Sequence, residues 1–158
     1  MDDALGYIGH DYPQEWPIER PFVRMAAQHS SHFQLDTPDG AAEWRSIVPG
    51  DGLVYLGEHK QPYTVSMMHQ LRCLDIIRED MLRGRGEDPS ALSKHCLNYI
   101  KQMVLCRGDT QLEPFQYPNH IDPINTDQVY ECRDWSAVYD KVKESQADFA
   151  RWLDSSAA

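Results

Sequence analysis

The chain has 158 residues, with 15 Lys and Arg against 25 Asp and Glu and a formal net charge of −10. That length fits one domain able to bury roughly two-thirds of its unfolded surface. The acidic balance, with no basic stripe, excludes nucleic acid as a partner. No apolar run approaches the ~20 residues of a membrane span, and no charged-then-apolar leader is present, so the chain as written is expected to be soluble.

Residues 1–24 hold Tyr12-Pro13, Trp16-Pro17 and Arg20-Pro21. Three X-Pro pairs in so short a span predict an extended arm rather than a helix. Its aromatics Tyr7, Tyr12, Trp16 and Phe22 predict that the arm lies against the body. His32-Phe33-Gln34-Leu35 alternates and predicts a short strand, ended by a turn over Asp36-Thr37-Pro38-Asp39-Gly40. A short helical turn follows from Ala41 to Ile47, then a turn at Pro49-Gly50-Asp51-Gly52, and a β-prone run Leu53-Val54-Tyr55-Leu56.

The first long helix is predicted over 64–83, capped by Thr64 or Ser66, with Leu71, Leu74, Ile77 and Met81 on its core face. After a link of five or six residues, Asp88 as N-cap and Pro89 at the first helical position start a second helix, which Gly108 ends. Its inward residues are predicted as Leu92, Cys96, Tyr99, Ile100, Met103 and Val104. A link that short favours an antiparallel hairpin. A third amphipathic helix covers about 135–153, capped by Asp134, with Trp135, Val138, Tyr139, Val142, Phe149 and Trp152 on one face. The expected fold is therefore mainly α, an α+β chain with little strand, forming one domain over 1–158. In it an antiparallel helical hairpin (64–106, with its site-bearing loop to 114) and a C-terminal motif and helix (132–154) are wrapped by the Pro-rich arm.

The hairpin carries the chemistry. His69-Gln70-Leu71-Arg72-Cys73 lies on the first helix and Leu92-Ser93-Lys94-His95-Cys96 on the second. Positions i, i+3 and i+4 share a helical face, so His69, Arg72 and Cys73 point together, as do Leu92, His95 and Cys96. Facing each other, the two sets form a small polar chamber for a metal, a substrate or a disulfide. The four cysteines at 73, 96, 106 and 132 contain no C-x-x-C pair, which excludes zinc-ribbon spacing. Two disulfides in any of three pairings, or free buried thiols, both satisfy the sequence. His10, His29, His59 and His120 read as surface residues.

Several runs together resemble one family. They are Tyr63 to Leu71 with Cys73-Leu74, His95-Cys96-Leu97-Asn98-Tyr99, Cys106…Asp109-Thr110-Gln111-Leu112-Glu113-Pro114 and Cys132-Arg133-Asp134-Trp135. Tyr7-Ile8-Gly9…Asp11-Tyr12-Pro13 and His32-Phe33…Glu43-Trp44 lie upstream in the same order. The chain resembles the UstYa-like fungal mycotoxin-biosynthesis proteins along nearly its whole length. The resemblance implies tailoring of fungal secondary metabolites: oxidative cyclisation of ribosomal peptides, or hydroxylation, desaturation or chlorination, with copper implicated. It also implies a pair of HxxHC motifs and, in most members, an N-terminal membrane anchor facing the secretory lumen; with no such segment in the sequence as written, the expectation is either a protein whose anchor has been trimmed, placed in the secretory lumen, or a soluble member in the cytoplasm.

The departures from that pattern set the functional expectation. Arg72 stands where the first motif has its second His, Leu92 where the second motif has its first, and Tyr130 where relatives often place a third-site His. Each replacement removes an imidazole, and Arg72 adds a fixed cation with no lone pair. The expected activity is a metal-independent cyclase, isomerase or lyase, pericyclic or Michael-type ring closure included, acting on a small-molecule or peptide intermediate. Arg72 clamps a carbonyl or carboxylate, His69 and His95 serve as acid and base, and Tyr130, with Glu131, adds a further acid–base pair. His32, Met68, Tyr99, Asp109 and Trp135 are expected to contact substrate. No cofactor is expected. The alternative is a copper oxidase holding its metal with His32, His69 and His95. A further alternative is an inactive paralogue that binds a pathway subunit or a second copy. The plain readings of the same residues are half-buried helix histidines and a salt bridge from Arg72 to Asp75, Glu79 or Asp109.

Overall fold

A computed structural model describes residues 5–27, 30–84, 86–114 and 128–156; His29 and His120 lie outside them. In chain order the elements are β1 (Phe22–Ala26), α1 (Pro38–Ser46), a 3-10 turn (Pro49–Gly52), β2 (Leu53–Leu56), β3 (Gln61–Thr64), α2 (Ser66–Met81), α3 (Ala91–Arg107), β4 (Val129–Arg133) and α4 (Ser136–Ser156). The fold is mainly α, with two short antiparallel pairs, β1 with β4 and β2 with β3. No helix among the described residues is long and apolar enough to cross a membrane.

The core forms where β2, the start of α2 and the first two turns of α4 meet. Val54, Met68, Val138 and Val142 are buried there, with Trp16, Ile18, Leu56, Tyr63, Leu71 and Tyr139 packed around them. Two of these, Trp16 and Ile18, come from the N-terminal arm, so the arm does lie on the body. Farther out on it, Tyr7 and Tyr12 pack against Tyr63 at 6.0 and 5.3 Å between ring centres. The Tyr63 hydroxyl donates to the Tyr7 carbonyl at 3.0 Å. On α4, the buried Ser145 hydroxyl accepts from the Tyr55 N–H at 2.8 Å and donates to the Tyr55 carbonyl at 3.2 Å. Gln146 donates to the Pro49 and Leu53 carbonyls at 2.8 and 2.9 Å. Tyr139 donates to the Ile47 carbonyl at 2.6 Å. These polar bonds fix α4 against β2 in one register, which apolar contact alone does not do.

Local signals explain most helix ends, with corrections. Asp36 to Gly40 is not a free turn: Thr37 caps α1 by accepting from the Gly40 N–H at 3.1 Å, and Pro38 opens the helix. Neither Thr64 nor Ser66 caps α2. Val65 occupies the cap position, and the Thr64 hydroxyl donates instead to the Gly52 carbonyl at 3.0 Å. Ser90, not Asp88, caps α3 by accepting from the Ser93 N–H at 3.0 Å. The link therefore runs over 82–90, longer than expected. Gly108, at φ 51°, ends α3 in the left-handed conformation that glycine adopts without a Cβ penalty. Asp134 Oδ1 accepts from the Ser136 N–H at 3.0 Å and serves the start of α4 as expected.

Three expectations about strands and core are overturned. Residues 32–35 form no strand, because Phe33 turns to φ 59° and breaks the alternation. The end of the arm is itself a strand: β1 pairs with β4 in the register Val23↔Cys132 and Met25↔Tyr130. Leu74, Met81, Leu92, Val104, Trp135 and Trp152 are exposed rather than inward. On α2 the inward positions go to Asp75 and Arg78, buried at 2% and 4% exposure. Arg78 Nε donates to Asp75 Oδ1 at 2.8 Å, and Arg78 Nη1 donates to the Leu35 carbonyl at 3.0 Å. A polar clamp thus occupies part of the helix face that period alone assigns to hydrocarbon.

Candidate functional site

Helices α2 and α3 run antiparallel and are joined by a disulfide, Cys73–Cys96, with a Cα–Cα separation of 4.9 Å. Both cysteines are fully buried. Of the three pairings open to the sequence, the structure holds this bond, while Cys106 is free and exposed and Cys132 is free and half-buried. The bond sits between the two His/Cys motifs and fixes their rotation. Four residues before Cys73, His69 therefore lies against α3, its ring stacked on Tyr99 with centres 4.1 Å apart and planes 23° from parallel. His95, one residue before Cys96, lies 6.2 Å from His69 with planes 25° apart. Three near-parallel rings thus line one flank of the hairpin. His69 and Tyr99 are half-buried and His95 is exposed.

Arg72, one turn on from His69, is exposed on the same flank. The expected salt bridge to Asp75 or Glu79 is not formed, because Arg78 holds both, at 2.7 and 3.5 Å. Asp109 accepts from the Gln111 N–H at 2.9 Å and shapes the loop after α3. Among the described residues Arg72 has no ion-pair or hydrogen-bond partner.

The other predicted site residues are dispersed. Met68 is corrected outright: it is fully buried in the core and cannot touch a substrate. It faces the 3-10 turn, with its Cβ 2.8 Å from where a Gly52 side chain would begin. Trp135 is exposed at the start of α4, its indole N–H directed at Met25 Sδ at 2.8 Å and its ring edge-on to Tyr139. Tyr130, on β4, donates to Glu113 Oε1 at 3.3 Å rather than meeting the α2–α3 rings. Partial burial, followed by the negative charge of Glu113, raises the Tyr130 pKa above the ordinary phenol value. Glu131 is exposed on the opposite face of β4.

His32 forms a separate group. Its Nδ1 lies 2.5 Å from Glu43 Oε1, while Glu43 Oε2 accepts the Phe33 N–H at 2.5 Å. Trp44 Nε1 donates to the Phe33 carbonyl at 2.9 Å. The His32 hydrogen bond, and next the Phe33 N–H, hold the Glu43 carboxyl below its usual pKa. Glu43 was read only as part of a sequence match. A carboxylate on the helix that follows a histidine segment was the available signal, and it specifies a partner only once the intervening turn is known.

A copper site of the family type does not fit these residues. Both motif cysteines are consumed by the disulfide, and Arg72 and Leu92 offer no lone pair. His32 is engaged at α1 with Glu43 and does not join His69 and His95. Among the described residues no group of three His, Cys, Asp or Glu side chains is placed to hold a metal ion.

Comparison with known proteins points in one direction. The profile of the family described as "Mycotoxin biosynthesis protein UstYa" matches residues 15–152. The chain is 30% identical over 127 residues to "UstYa family oxidase phomYd" of Diaporthe leptostromiformis, covering 73% of this chain and 40% of that protein. It is 26% identical over 95 residues to "Hydroxylase cctR" of Talaromyces islandicus, covering 56% and 35% respectively. To "Oxidase ustYa" of Aspergillus flavus it is 29% identical over 79 residues, covering 47% and 37%. The chain thus spans about two-fifths or less of the length of these relatives. No solved structure matches it significantly.

Proposed function

The chain belongs to the UstYa family of mycotoxin-biosynthesis proteins, and from that premise we propose that it is a tailoring enzyme of fungal secondary metabolism, a non-oxidative cyclase, isomerase or lyase. Its working surface is the α2–α3 flank. One observation carries this reading: an exposed guanidinium, Arg72, with no partner among the described residues, lies one helical turn from His69, whose ring is 6.2 Å from that of His95, where the family motif has a ligand set.

Arg72 presents a fixed fork of N–H donors to a carbonyl or carboxylate oxygen of the substrate. With that oxygen held, His69 or His95 takes a proton from the adjacent carbon, and the developing enolate charge is stabilised by the guanidinium. The electron pair then closes a ring onto an acceptor, expels a leaving group or recovers the proton at a second carbon. The protonated imidazole returns its proton in the last step. The Tyr99 ring beneath His69 fixes the plane of that imidazole and so the direction of its lone pair. Loss of an electrostatic donor of this kind costs about 10²–10³ in turnover.

A second reading is a copper-dependent oxidase, favoured by the names of the relatives, which are oxidases and a hydroxylase. Metal analysis of the purified protein by mass spectrometry, alongside turnover with and without a chelator, separates the two. The non-oxidative reading expects turnover that survives chelation and falls about 10²–10³ in Arg72→Ala. Stoichiometric copper with turnover lost to the chelator overturns it.

A further inference from the structure

Helix α3 is cationic in an otherwise acidic chain. Residues 91–107 contain Lys94, Lys101 and Arg107 and no acid at all. On α2 the acids that follow Arg72 are Asp75 and Glu79, held by Arg78, and Asp80, held by Arg83. Lys101 donates to Asn98 Oδ1 at 2.9 Å, whereas Arg72, one helical turn from His69, has no hydrogen-bond or ion-pair partner among the described residues. The flank also carries stacked rings. Tyr99 covers one face of His69, while His95 continues the near-parallel array and is exposed to solvent.

A guanidinium with unused donors and an exposed imidazole ring on one flank select two properties in one ligand. We infer that this flank binds a planar, conjugated carboxylate, with the anion on Arg72 and the π face against the His95 ring. The inference rests on the α2–α3 flank being the working surface and adds the class of substrate that it takes. A carboxylate matches the guanidinium fork with two parallel N–H···O bonds. A conjugated group directly attached to it is coplanar with that fork and lies against the imidazole by offset stacking. A neutral amide loses the charge, and a saturated ring loses the π face. Conjugation to a carboxyl also makes the neighbouring carbons electrophilic or acidic, which is the chemistry that a clamp and an imidazole serve.

The test uses trans-cinnamate as the probe, with trans-cinnamamide and cyclohexanecarboxylate as its uncharged and non-planar counterparts. Each is titrated into the whole chain while the His Hε1 and Arg Nε–H resonances are followed. Cinnamate is expected to bind in the millimolar range, shifting His95 Hε1 and Arg72 Nε–H, about tenfold tighter than either counterpart. Arg72→Ala removes the preference over the amide, and His95→Leu removes the preference over the saturated acid. Both positions are exposed, and unchanged urea midpoints confirm that the variants fold. Equal affinities for the three probes, a preference that survives Arg72→Ala, or equally effective competition by acetate overturns the inference. Cinnamate bound through Arg72 in an enzyme whose turnover requires copper leaves this inference standing and removes the non-oxidative mechanism. Turnover lost in Arg72→Ala with no preference for cinnamate removes only the substrate class.

Discussion

Replacing both Cys73 and Cys96 by alanine is expected to destabilise the chain by about 3–5 kcal/mol. The bond joins residues 23 apart, and a closed loop of that length restricts the unfolded chain by about 3 kcal/mol. Both side chains are fully buried, so deleting two sulfur atoms adds a packing loss on the order of 1 kcal/mol. Set against a typical stability of about 5–15 kcal/mol, that is a large share. Urea unfolding by linear extrapolation measures it directly, with a slope that rises because the uncrosslinked chain exposes more surface. For a chain of this size the midpoint of thermal unfolding should fall by about 6–12 °C or more. Cys106→Ala is the control, since an exposed thiol should change stability by less than about 0.5 kcal/mol. The ring-current shifts of His69 should weaken in the double variant, because the bond sets the rotation that lays this ring on Tyr99. A loss below about 1 kcal/mol, or rapid alkylation of both residues in the native protein, would refute the reasoning.

Three further outcomes follow from packing and charge. Asp75→Asn or Arg78→Met alone should cost about 3–5 kcal/mol by leaving a buried charge unpaired, while the double Asp75→Leu/Arg78→Met should recover much of it in the same urea assay. Because the folded-state pKa of Glu43 is depressed, its contribution is full above the unfolded carboxyl value and is lost as pH falls through the lower folded one. Urea midpoints of the native chain should thus converge on those of Glu43→Gln as pH is lowered through that window, and curves that stay parallel would contradict the contact. Gly52→Ala should destabilise by more than about 1 kcal/mol, since Gly52 sits at φ 71° and a Cβ there would meet Met68 Cβ at 2.8 Å; an unchanged midpoint would show that the turn can move.

The helical hairpin was legible because its signals are local: a proline near one start, a glycine at the end and a 3–4 spacing between. Its finer facing was not. In sequence Asp75 is offered only as a partner for Arg72 and Arg78 carries no signal of its own, and only the carbonyl of Leu35, far away in sequence, shows that the pair turns inward. The same gap separates Met68 from its true surroundings. Its neighbour His69 reaches the flank, and one residue of helix rotation carries Met68 to the core. The β1–β4 pairing joins residues more than a hundred positions apart, and neither five-residue run specifies its partner. Spacing alone sets Arg72 on the helix face of His69, whereas its lack of a partner among the described residues follows from where Arg78 reaches.

The bonds from α4 to β2 also occupy the outer edge of the β2–β3 pair. Opposite Tyr55 in the β2–β3 hairpin stands Pro62, which has no N–H to give. The Tyr55 N–H and carbonyl are taken by Ser145, and the Leu53 carbonyl by Gln146. An exposed strand edge is a template onto which a second chain adds by main-chain hydrogen bonds. Here one serine and one glutamine of a helix occupy the groups that a visiting strand would use. Ser145→Ala would therefore do more than loosen the helix: it would leave the Tyr55 N–H and carbonyl, groups of the kind that strand addition uses, without their partner.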